Sequence, residues 1–137
     1  MGAWGASGEC ATHSSPTCIM INMFSKVNLN DIQIEGTLHN SGSRKMIVSK
    51  DQTTSKYFEA MTYGYMPVGV KYEMHNHTNI IEICIVTKGS GIIRDIDGKV
   101  EEYKVGDRFI FPSDVKHEIE NNSKEESEFY FIRFKDQ

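Results

Sequence analysis

The segment HNHTNIIE, residues 75–82, holds two histidines separated by one residue and a glutamate five positions after the second. Imidazole and carboxylate together suit a divalent transition metal. In a strand, alternate side chains share a face, so His75 and His77 point the same way. Glu82 has the opposite parity, and Thr78 and Asn79 must turn the chain before it can aim at the same point. Two neighbouring strands would then present His, His and Glu together, with Cys84 and Val86 following Glu82 on its face. The segment alone has a second explanation: two surface histidines beside a polar turn that bind nothing. A fourth donor elsewhere in the chain would separate the two.

The elements that must position these residues are strands. RKMIVS (44–49), KYFEAMTYGYM (56–66), VKYEMHNH (70–77), IIEICIVTK (80–88) and GIIRDI (91–96) are rich in β-branched and aromatic residues. KVEEYKV (99–105), RFIF (108–111), KHEIEN (116–121) and EFYFIRFK (128–135) continue the series. Gly, Pro, Asn, Asp and Ser punctuate these runs, and none holds a helical period over ten residues. Asp97-Gly98 predicts a two-residue type I′ hairpin turn, which needs positive φ at both central positions. Gly89 and Gly91 bracket another turn, and VGD at 105–107 forms a third. About nine closely spaced strands predict an all-β sandwich or barrel.

The whole chain sets the frame. Its 137 residues suffice for one domain with a sizeable core. We expect an N-terminal extension over 1–25, rich in Gly, Ala, Ser and Thr, and a single domain over 26–137. A net charge of −4 with no run of Lys and Arg argues against a nucleic-acid partner. No segment approaches the roughly 18–20 apolar residues of a membrane span, and the N-terminus lacks the charge and apolar length of a secretory signal. The three cysteines, Cys10, Cys18 and Cys84, make no disulfide framework, so a cytoplasmic location is expected.

Two longer motifs frame the histidines. The first runs Gly69-x5-His75-x-His77-x4-Glu82-x6-Gly89, and the second Gly106-x5-Pro112-x4-His117-x3-Asn121. In order and spacing they resemble the two motifs of the cupin superfamily, over about residues 44–135. One position departs from the pattern: Asp114 stands where the second motif usually has a turn-shaping glycine. The resemblance implies a small double-stranded β-helix, a jelly-roll barrel. It also implies one metal ion held by His75, His77, Glu82 and His117, the last being the missing fourth donor. Such a set leaves open coordination positions, and Fe, Mn, Ni, Cu and Zn all fit it.

Several other residues carry weaker signals. Lys71 and Glu73 share parity with His75, and a strand emerging from the barrel would leave both in solvent. Tyr63 and Tyr65 share a face and are expected to pack rather than to serve the site. Arg133 alternates with Phe129 and Phe131; its tip is expected to reach solvent, the other reading being a clamp on a substrate carboxylate. Cys84 is expected to pack first and to ligate second. His13 and His39 need no role. The C-terminal run has apolar residues on both faces, which fits a homodimer.

These observations point to a metal-dependent enzyme acting on a small polar metabolite. Dioxygenase-type oxidation is the first choice, with a lyase, decarboxylase or sugar isomerase close behind. The alternative is a non-catalytic module that binds or senses a small molecule or carbohydrate.

Overall fold

The computed structural model describes residues 24–37 and 41–137. The expected extension lies outside them up to residue 23, as do Cys10, Cys18, His13 and His39. Ten strands follow in order: β1 Glu35–Gly36, β2 Ser43–Ser49, β3 Phe58–Met66, β4 Lys71–His75, β5 Ile80–Lys88, β6 Gly91–Asp95, β7 Val100–Tyr103, β8 Arg108–Phe111, β9 His117–Glu120 and β10 Ser127–Lys135. The helical pieces among the described residues are two short 3-10 turns, so none is long or apolar enough to cross a membrane.

The strands form two antiparallel sheets. One has the order β1-β2-β3-β10-β5-β8, the other β4-β9-β6-β7. Together they make the jelly-roll barrel. The long strands β3, β5 and β10 alternate buried residues with more exposed ones over most of their length, as the pleat requires. Met66, Cys84, Val86, Ile93, Tyr103, Phe111, Ile119, Phe129 and Phe131 fill the space between the sheets. β10 lies between β3 and β5, which explains its two apolar faces. Phe129 and Phe131 enter the core, while Tyr130 packs outside against Tyr63, with ring centroids 4.8 Å apart. Tyr63 also meets Tyr65 on that outer face, so both tyrosines pack away from the barrel interior.

The Asp97-Gly98 hairpin forms with a different turn. Gly98 has a φ of 88°, whereas Asp97 is not among the positive-φ residues. The Gly98 amide donates to the Asp95 carbonyl and the Asp95 amide to the Lys99 carbonyl. This is a three-residue loop over 96–98, a tight turn closed by a left-handed glycine. Asp95 favours it, because its Oδ1 accepts from the backbone amides of Asp97 and Lys99. That side-chain anchor stands outside the dipeptide that signalled the turn.

Candidate metal centre

The site lies between the two sheets. His75 ends β4, and its Cα partner on β9 is His117. A register shift between Tyr72 and His75 breaks the alternation of β4. Tyr72 and His75 are therefore both turned toward the interior, although they stand three positions apart and strict alternation would place them on opposite faces. Lys71 is half-exposed and Glu73 exposed, as expected of a strand leaving the barrel. β4 stops at His75, so His77 sits in the link just before the turn at Thr78 and Asn79 rather than on the strand. Asn79 makes that turn with a φ of 57°, and its side chain grips Gln137. Asn tolerates this left-handed conformation better than most residues. Glu82 comes from β5, in the other sheet. The expectation of two neighbouring strands is thus corrected: the histidines and the glutamate face one another across the barrel.

The structure brings the four residues together. The donor atoms of His75, His77 and His117 all lie within 4.8 Å of one another. Glu82 Oε2 stands 3.5 Å from His77 Nε2, and Oε1 stands 3.7 Å from His117 Nε2. Donors on one ion with bonds near 2.1 Å stand about 3.0–3.4 Å apart, so these separations are close to a ligand set.

The hydrogen bonds decide which nitrogens face inward. His117 Nδ1 lies 3.2 Å from the Val115 carbonyl and His75 Nδ1 lies 2.6 Å from the Glu73 carbonyl. A carbonyl only accepts, so each Nδ1 carries a proton and a neutral ring keeps its lone pair on Nε2. Nε2 of His77 and of His117 are buried without a hydrogen-bond partner among the described residues. The His117 lone pair also faces a carboxylate, which is repulsive unless a cation stands between them. The donor set therefore fits a divalent transition metal, with two backbone carbonyls fixing ring orientation from behind.

The family model for the cupin domain matches residues 62–133. The chain belongs to the cupin family. No curated protein matches it. Solved structures share the fold at low identity. A predicted oxalate decarboxylase from Thermotoga maritima has a TM-score of 0.73 at 23% identity, over 81% of this chain and 99% of that one. The polyketide cyclase RemF from Streptomyces resistomycificus gives 0.71 at 16%, over 84% and 81%. A sugar phosphate isomerase from Silicibacter pomeroyi gives 0.67 at 19%, over 81% and 76%. These likenesses establish the barrel and leave the chemistry to the site.

In this cupin Arg133 departs from expectation. Its tip does not simply run to solvent: Nε donates to Glu82 Oε2 at 2.6 Å. Arg133 is the Cα partner of Glu82 across the β5–β10 ladder, so both project inward side by side. Burial of the Glu82 carboxyl opposes its ionisation. The Arg133 guanidinium at its Oε2 outweighs burial and holds it well below the usual carboxylate range. At 3.5 and 3.7 Å the histidine contacts are close approaches rather than formed hydrogen bonds.

Cys84 is fully buried, and burial pushes its thiol well above its ordinary value. It packs beneath Glu82 as a neutral apolar group. Phe111 stacks on the His117 ring at 3.8 Å with planes 7° apart, a contact that the alternation of RFIF only hints at. Asp114 has a φ of 64°, the conformation a glycine would take there, and its amide donates to the His77 carbonyl at 3.1 Å. The substitution keeps the turn and ties it to the metal-side loop. A cavity of about 200 Å³, floored by Ile93, Phe109, Phe111 and Val115, adjoins His117; His75, His77 and Glu82 do not line it.

Proposed function

We propose that this cupin is a metal-dependent enzyme acting on a small polar metabolite, with His75, His77, His117 and Glu82 holding one divalent transition metal. The observation that carries this reading is the pair of buried Nε2 atoms, on His77 and His117, that no group among the described residues satisfies. Orphaned buried polar atoms cost about 1–3 kcal/mol each, so a fold that keeps two of them side by side implies a partner outside the chain.

A divalent ion there would supply Lewis-acid polarisation and open positions for substrate or dioxygen. The remaining residues have separable parts. The Glu73 and Val115 carbonyls aim the imidazoles, Arg133 fixes one carboxylate oxygen of Glu82, and Cys84 and Phe111 keep water from the flanks. Dioxygenase-type oxidation is the reaction we put first, and lyase, decarboxylase or isomerase chemistry second. Activity that survives strict exclusion of oxygen would select the second group. Ligand-dependent thermal stabilisation without turnover would select a binding module instead.

The test is elemental analysis of tag-free protein purified without chelator, beside a His75→Ala/His117→Ala variant. We expect near-stoichiometric iron, manganese, nickel, copper or zinc, lost in the variant. A wild type that takes up none of these ions, even when each is offered, would overturn the proposal.

A further inference from the structure

Arg133 is only partly used by its contact with Glu82. A guanidinium has five N–H donors in a planar fork. The Nε donor goes to Glu82 Oε2, and neither Nη1 nor Nη2 has a partner among the described residues. The side chain is 26% exposed, so solvent and small solutes reach part of it. The end-on edge formed by the two Nη groups has the spacing of a carboxylate and binds one through two parallel hydrogen bonds.

The charges around the site favour the same kind of ligand. This step rests on the metal reading above. A divalent ion, the Glu82 carboxylate and the Arg133 guanidinium leave two positive charges in surplus when the imidazoles are neutral. Among the described residues no other unpaired buried acidic group offsets them. Glu118, the other buried carboxylate among the described residues, pairs with Arg94 at 2.8 Å and Lys71 at 3.7 Å, and Glu73 is exposed. An interior with surplus positive charge attracts an anion far more strongly than a neutral molecule of the same size.

We propose that Arg133 is a substrate-binding residue, and that the substrate is a small carboxylate anchored on its Nη1–Nη2 edge while a second oxygen group reaches toward the metal centre. Arg133 then does two things with one side chain: Nε orients Glu82, and the opposite edge orients the substrate. The separation of these edges lets both contacts exist together.

The experiment uses malonate as the carboxylate probe, malonamide as its neutral counterpart and azide as an anion that needs no fork. Each is titrated into cobalt(II)-loaded wild type, Arg133→Lys and Arg133→Gln, followed by the visible cobalt spectrum, after metal content has been measured for every protein. We expect malonate to bind wild type at least tenfold more tightly than malonamide. Arg133→Gln should weaken malonate about tenfold or more and leave azide within about threefold, because one charge-assisted bidentate contact is lost. Arg133→Lys, which keeps the charge beside Glu82 but not the fork, should lose most of the same affinity. Malonate affinities equal in all three proteins would overturn the proposal, as would malonamide binding as well as malonate. A wild type that takes up no metal fails the metal reading by itself. The arginine anchor is then judged by calorimetry of malonate on metal-free protein: heat that disappears in Arg133→Gln supports it, and no heat in wild type ends it.

Discussion

Removing Arg133 should expose how much the protein depends on its pairing with Glu82. Arg133→Met keeps much of the side-chain length and takes away the charge, leaving a carboxylate that is 3% exposed without its 2.6 Å donor. Breaking a fully buried ion pair from one side costs about 3–5 kcal/mol. Arg133 is 26% exposed, so water can partly replace it and the expected loss is lower, about 2 kcal/mol. For a domain of 137 residues this is a drop in Tm of about 6–10 °C. Glu82→Gln should cost less, about 1 kcal/mol, because the half-exposed guanidinium can turn to water. The double variant should then be more stable than the two losses predict, by a coupling of about 1–2 kcal/mol. Urea unfolding of chelator-treated protein at pH 7 measures all four corners. The coupling should survive 0.5 M salt, since a buried pair is poorly screened. A coupling below about 0.5 kcal/mol, or one abolished by salt, would refute the view that Arg133 holds Glu82 in place.

Two further expectations concern the surroundings of the site. Burial of Tyr72 pushes its hydroxyl up to about 12, so the stability it contributes is intact below about pH 10, where the unfolded tyrosine is still protonated, and declines as pH rises toward 12. At pH 11 the loss is about 1.4 kcal/mol; Tyr72→Phe should remove it, and parallel melting profiles for the two proteins between pH 8 and 11 would contradict the assignment. Asp114 occupies a left-handed turn position, so Asp114→Gly should stay within about 0.5 kcal/mol of wild type, while Asp114→Val should lose about 1–2 kcal/mol. Equal thermal denaturation of the two variants would show that backbone conformation is not what the position demands.

Much of this protein could be read from local pattern. All nine runs rich in β-branched and aromatic residues correspond to β2 through β10 within one or two residues at each end. Strand formation here follows alternation and Gly, Pro and Asn punctuation, which are properties of neighbours in sequence. β1 was missed because a two-residue strand has no period to detect. The candidate ligands were legible for a related reason. His75, His77 and Glu82 fall within eight residues, and the motif containing His117 follows a family pattern at every position but Asp114.

What the sequence by itself determined, then, was the nine longer strands and the residue types that could make a metal centre. The tertiary structure decided how they meet. The shift in the β4–β9 register turns His75 inward, against the parity that ties it to Lys71 and Glu73. The sheet order sets Glu82 opposite the histidines instead of beside them. The pairing of β10 with β5 brings Arg133 to Glu82 across 51 residues of chain. Alternation says which face a side chain takes, but only the register of distant strands says what lies across from it, and a one-residue slip would reverse the answer. The bulge and the Arg133–Glu82 contact therefore belong to long-range pairing, which no short stretch of this sequence encodes.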